Sequence, residues 1–229
     1  MSFGIRAWVF AVGLGQLLAG CAEDTPDHLD FTLRTLSFVV ESRISPPPGG
    51  IPNMVCAGPQ ALATDCCNPP PPSPPIDCQQ YPIVCDEVEH FCALSYDSES
   101  TAETNLLADV PAVAAVDGRA FASVSLVAVY ATVTSKGNLP VRSASLYLGP
   151  KGLASAASPE ATLFATLLLS PGTTVLTPPA EAQQAFSRLA RDYRTPFSWL
   201  LSAHLVVAPG ITPSGSVTLT VAATAEARY

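Results

Sequence analysis

Cysteine is the residue type in this chain best placed to do chemistry, and its spacing separates two groups. Cys56, Cys66, Cys67, Cys78, Cys85 and Cys92 crowd into one segment, while Cys21 stands alone near the start. An even, clustered set of this kind reads as three disulfides in an oxidising compartment, with the connectivity left open by sequence. Cys66 and Cys67 are adjacent, so each is expected to pair elsewhere. No C-x-x-C pair occurs, so no metal site is expected there.

Other reactive groups are sparse. The three histidines are His28, His90 beside Cys92, and His204. There is no G-x-S-x-G, H-E-x-x-H, phosphate-binding loop or dinucleotide fingerprint. His204 shares strand parity with Ser198 and Ser202, which places it on a solvent side. Asp86-Glu87-Val88-Glu89 is the densest carboxylate run, but it lacks a glycine-containing calcium loop and reads as a solvated acidic face. No catalytic residue, metal or cofactor is expected.

Cys21 carries a different chemistry. Residues 7–18 (AWVFAVGLGQLL) follow the single positive charge of Arg6 and form an apolar run too short to remain as a membrane span. Leu18-Ala19-Gly20-Cys21 comes directly after it. This segment resembles the lipobox of bacterial lipoprotein precursors. The resemblance implies that Leu18, Ala19 and Gly20 are read by the signal peptidase and that Cys21 accepts lipid. A thiolate is the natural nucleophile for an acyl or diacylglyceryl acceptor, and small residues before it leave the bond open to cleavage. Several acyl chains would anchor the protein durably. Ala22 stands where an Asp would mark inner-membrane retention, so the outer membrane is the expected address, facing the periplasm or the cell surface.

Charge divides the mature chain. The whole sequence carries a net charge of -8. Residues 21–109 carry 14 Asp and Glu against only Arg34 and Arg43, whereas residues 110–229 carry five acidic and eight basic residues. An acidic half of this kind is unsuited to phosphate backbones, so a nucleic-acid partner is excluded. Charged residues make up 13% and hydrophobic ones 48%, which is the composition of a folded chain.

The elements that must position these residues are mostly strands. Residues 1–20 form the signal peptide and 21–30 an acidic tether, followed by a single β-rich domain over 31–229. Within it Phe31–Ile44 is expected to be a strand with a bulge near Thr35, because its apolar residues change parity there. Residues 45–95 form a cysteine- and proline-rich insertion holding 12 of the 23 prolines. Residues 109–229 are expected to supply the sandwich core. A short helix should start with Asp109 as its N-cap. Ala120–Thr134 is apolar on both parities, as a central strand would be, with both parities expected to be buried by sheet and helix in a solid core. Val141–Leu148, Ala161–Leu169, Phe197–Ala208 and Val217–Arg228 complete the strands. A helix near 179–193 has Ala182, Phe186, Leu189, Ala190 and Tyr193 on one stripe, leaving Gln184, Arg188 and Arg191 outward.

The fold expected is therefore mostly β: an antiparallel β-sandwich, immunoglobulin-like or similar, with one packed α-helix and a disulfide-rich, proline-rich insertion. The function expected is a non-enzymatic, membrane-anchored envelope lipoprotein with a structural, adhesive or binding role, whose partner is an envelope protein or polysaccharide. One alternative is a periplasmic carrier of a lipid or other apolar ligand, its cavity lined by the two-sided strand and the helix. A hydrolase would require a histidine within hydrogen-bond reach of a Ser or Cys nucleophile.

Overall fold

The computed structural model describes residues 27–42, 45–56, 66–71, 73, 75–86, 88–116, 118 and 120–229. The signal peptide and the lipobox residues Leu18, Ala19, Gly20 and Cys21 lie outside them. Among the described residues, no helix is long and apolar enough to cross a membrane.

The chain is an antiparallel β-sandwich. One sheet contains β1 (His28–Thr32), β2 (Leu36–Glu41), β10 (Gly215–Arg228), β5 (Ser123–Gly137) and β8 (Gly172–Val175). The strands β1 and β2 lie end to end along one side of β10, and β5 and then β8 lie on its other side. The second sheet has the order β3 (Ile83–Cys85), β4 (Cys92–Thr104), β9 (Phe197–Val207), β6 (Val141–Pro150), β7 (Thr162–Leu167). Two short helices, α1 (Leu106–Asp109) and α2 (Pro111–Ala115), join β4 to β5. A longer helix, α3 (Ala180–Arg191), packs on β5, β6 and β7.

Alternation accounts for most of this arrangement. Along β10, Val217, Leu219, Val221, Ala223, Ala225 and Ala227 are buried, while the residues between them are partly exposed. The inner faces meet in one core that includes Phe38 of β2, Leu219 of β10, Leu146 and Leu148 of β6, Phe164 of β7 and Trp199 of β9. Trp199 stacks edge-on against Phe164 at 4.8 Å and donates its indole N–H to Thr104 Oγ1 at 3.0 Å, so its one polar atom is satisfied inside the core. The helix buries Ala182, Ala185, Phe186 and Ala190, and Tyr193 is buried just beyond its end.

Several sequence expectations need correction. His28, Leu29 and Asp30, expected in the tether, pair with β10. The strand expected over Phe31–Ile44 is broken between Thr32 and Leu36, around the parity change at Thr35. Asp109 does not cap α2. Its carboxylate accepts from the Asn105 N–H at 2.8 Å, closing α1, and Val110 precedes α2 without a side-chain cap.

The strand β5 is central, between β10 and β8, but it is not covered on both sides, since Val127 and Tyr130 are exposed. Its two-parity apolarity has another cause. Register shifts between Thr224 and Ala225, which pair with Ala128 and Leu126, so Val127 is an extra, bulged residue. The bulge moves the inward position from Val124 to Val129, Ala131 and Val133.

The sandwich also does not begin at residue 109. Residues 28–41 supply an edge of one sheet, and Cys92–Thr104, unmarked by hydrophobic pattern, is a long inner strand pairing with β9 along its length.

Candidate functional site

The six clustered cysteines pair among themselves as Cys56–Cys85, Cys66–Cys92 and Cys67–Cys78. Cys66 and Cys67 bond to different partners, as adjacency required. Around the first two bridges lies a small second core of Ile51, Ile83, Leu94 and Val207. This core continues the end of the second sheet through β3 and β4, so the proline-rich segment is built onto the sandwich. Few large side chains are available here, and the bridges supply what burial alone does not. The sulfurs of Cys56, Cys66 and Cys92 lie within 4.8 Å of one another. All three are held in disulfides, and a metal would require them as thiolates.

The turn from β3 to β4 contains Asp86, and there the expectation of a solvated acidic face fails, although Glu89 is exposed and Glu87 lies outside the described residues. Asp86 is 4% exposed. Its Oδ1 accepts from the backbone N–H groups of Val88 (2.8 Å) and Glu89 (3.1 Å). Its Oδ2 meets Arg142 Nη1 at 2.5 Å. The Arg142 guanidinium holds the Asp86 carboxyl down at about 2, against the opposing effect of burial and with help from the two backbone donors. Arg142 reaches this carboxylate from a bulge in β6, where register shifts between Val141 and Ser143 opposite β9. In the same turn His90 adopts a left-handed backbone (φ 55°), donates its N–H to the Asp86 carbonyl and accepts from Cys56 N.

The outer face of the second sheet brings together a set that sequence did not reveal. Ser95 and Asp97 alternate on β4, and His204 of β9 is the register partner of Asp97. His204 Nδ1 lies 2.8 Å from Asp97 Oδ1, and Nε2 lies 3.3 Å from Ser95 Oγ. These are the nitrogen assignments of a Ser-His-Asp relay. The geometric condition for a hydrolase is therefore met at His204.

Acyl transfer needs a further part. Donors must point at the oxygen that becomes negative in the transition state, and losing one costs about a hundredfold or more in rate. Strand N–H groups lie in the plane of the sheet, perpendicular to the side chains, and Ser95 N–H already donates to the Pro82 carbonyl at 2.9 Å. The relay also stands on an open face, with His204 and Asp97 side chains 39% and 66% exposed. It can polarise the Ser95 hydroxyl, but the strand backbone offers no oxyanion donors above it.

His204 is on the solvent side, as its parity implied, but Ser198 of the same parity is buried. The connection from β6 to β7 folds over that end of the face. Gly152 N–H donates to Ser198 Oγ at 2.9 Å, and Ala156 N–H donates to Glu99 Oε1 at 2.9 Å. His28 is remote from both groups, exposed beside Asp27, whose hydrogen bond raises its imidazole above the ordinary range.

No family model matches the chain, and no curated protein does. Among solved structures, it is similar to a chain of turnip yellow mosaic virus at 14% identity, covering 100% of this chain and 89% of that one with a TM-score of 0.29. It is similar to desmodium yellow mottle tymovirus at 13% identity, covering 59% of this chain and 80% of that one with a TM-score of 0.25. Likenesses this slight carry no argument about fold or function.

Proposed function

We propose that this chain is an exported lipoprotein, cleaved before Cys21 and held to a membrane by lipid on that cysteine. Its sandwich would then serve a non-enzymatic structural, adhesive or binding role in the cell envelope, toward a protein or polysaccharide partner. The observation that carries this reading is the use of the cysteines. Six of seven are consumed by three mutual disulfides, so the one within the lipobox is the one left over for lipid. Disulfides of this density also suit an oxidising compartment outside the cytosol. Ala22 in place of an Asp favours the outer membrane.

The carrier alternative draws little from the core. Trp199, Phe38, Phe164 and Phe186 are each fully buried between the layers, and packed aromatic side chains occupy the space a ligand would need. The hydrolase alternative has its relay, but among the described residues the strand backbone at Ser95 supplies no oxyanion donor to make it effective.

Anchoring is tested by fractionation of the expressing cell. The unaltered chain is expected in the membrane fraction and the Cys21→Ser variant in the soluble fraction. Continued sedimentation of that variant with membranes would overturn the lipoprotein reading.

A further inference from the structure

The described arginines differ in their partners. Arg34 faces Asp109 at 3.5 Å, Arg142 faces Asp86, and Arg228 faces Glu226 at 2.9 Å. Arg188 and Arg191, in the last turn of α3, have no carboxylate partner among the described residues. Both line one concave groove of about 710 Å³ beside the β5 entrance. Its floor is made of Phe121 and Tyr193, whose tilted rings meet at 4.8 Å, and its wall includes Gln184 and Ser187. Arg194 lies over the Tyr193 ring at 4.8 Å and lines the same groove. Asp192 is the acid at the rim, and its Oδ2 accepts from the Thr195 hydroxyl at 2.7 Å.

Cations in the last turn of a helix are favoured by its dipole, which explains positive charge here but not two guanidinium forks lining a concavity. A planar fork matches the paired oxygens of a phosphate, and Gln184 and Ser187 can donate to and accept from hydroxyl groups. The groove is of the size that holds a small ligand. Residues 110–229 hold eight Lys and Arg against five Asp and Glu, and three of those eight, Arg188, Arg191 and Arg194, line this groove, so positive charge is concentrated here.

We propose that the groove of Arg188, Arg191, Gln184 and Ser187 binds a phosphorylated saccharide, either free or as the head of a larger glycan. This rests on the envelope-binding role above and names the chemistry of its ligand.

The test is calorimetric titration of the full chain, carrying Cys21→Ser so that no membrane is needed, with glucose 6-phosphate, glucose and inorganic phosphate. Saturable binding of glucose 6-phosphate at about 1 mM or tighter is expected, with each of the other two weaker by about tenfold. Replacing both Arg188→Lys and Arg191→Lys keeps the charge and removes the forks. It is expected to weaken binding about tenfold, with an unchanged thermal midpoint reporting an intact fold.

Absence of saturable binding, or equal affinity in the double variant, would overturn the site. Inorganic phosphate binding as tightly as the sugar phosphate would overturn its saccharide character. Sedimentation with phosphatidic acid vesicles that is lost in the double variant and exceeds glucose 6-phosphate binding would assign a lipid phosphate and overturn it equally. Cell fractionation of Cys21→Ser reads anchoring alone, so failure of the lipoprotein reading and failure of the groove are separately visible.

Discussion

The Asp86 carboxylate, buried in the turn between β3 and β4, meets the guanidinium of Arg142 on the bulge of β6, two strands beyond its neighbour β4. This contact fastens the disulfide-stapled segment to the middle of the sheet. Register along β9 delivers both ends, since β4 and β6 flank that strand.

Removing the charge from Asp86 should uncouple the two parts. Asp86 is held near 2 in the folded chain and returns toward 3.8 when unfolded, so its contribution is present above the unfolded value and is lost as pH falls through the folded one. The side chain of Arg142 is 35% exposed, which screens the pair and limits its worth to about 1–2 kcal/mol. Denaturant unfolding of the unaltered chain should show stability falling between about pH 4 and about pH 2. Asp86→Asn should be less stable at neutral pH by that amount and show a flatter acid limb. An equal acid limb in both proteins would show that Asp86 is not the group responsible.

The three bridges should differ in what they contribute. They close separations of 29, 26 and 11 residues for Cys56–Cys85, Cys66–Cys92 and Cys67–Cys78. On loop-closure entropy the two longer bridges stabilise by about 3.5 kcal/mol each and the shortest by about 3. The paired Cys67→Ser and Cys78→Ser variant should therefore be the mildest of the three double replacements in a thermal melt. It also spares the buried sulfurs of the second core, Cys56, Cys66, Cys85 and Cys92, and removes only the partly buried Cys78 from its edge. Peptide mapping without reductant should recover the same three pairs, and any other linkage would contradict the arrangement.

The Ser95–His204–Asp97 relay provides a chemical check on the non-enzymatic reading. A fluorophosphonate probe is expected to label the chain no more than it labels Ser95→Ala. That replacement, on a partly exposed face, should change stability by only about 0.5 kcal/mol. Labelling of Ser95 that disappears in His204→Ala would mean that the relay has the electrostatic support the strand backbone lacks, and the protein would be a hydrolase.

Sequence periodicity marked the elements whose burial is one-sided and regular. The alternation of Val217, Leu219, Val221, Ala223 and Ala225 on β10, the stripe of Ala182, Phe186 and Ala190 on α3, and a cysteine cluster able to pair within itself all follow from spacing that local geometry reads directly. The same local logic placed Arg188 and Arg191 on an outward face. It could not place β4, whose residues CALSYDSESTAET have little strand character of their own. Pairing with β9 makes that segment a strand, and pairing is a long-range event.

Only tertiary structure decided the bulges, the bridges' connectivity and the sites they create. A single extra residue at Val127 or at Arg142 shifts parity without any local signal, because the shift exists only relative to a partner strand. That shift is why Ala120–Thr134 read as covered on both sides, and why Arg142 reaches a carboxylate that composition assigned to solvent. Ser95, Asp97 and His204 meet for the same reason: residues 95 and 204 become neighbours through register and not through spacing. Sequence alone supplied an address at Cys21 and a β framework, while the contacts that give each face its chemistry came from which strands pair and in what register.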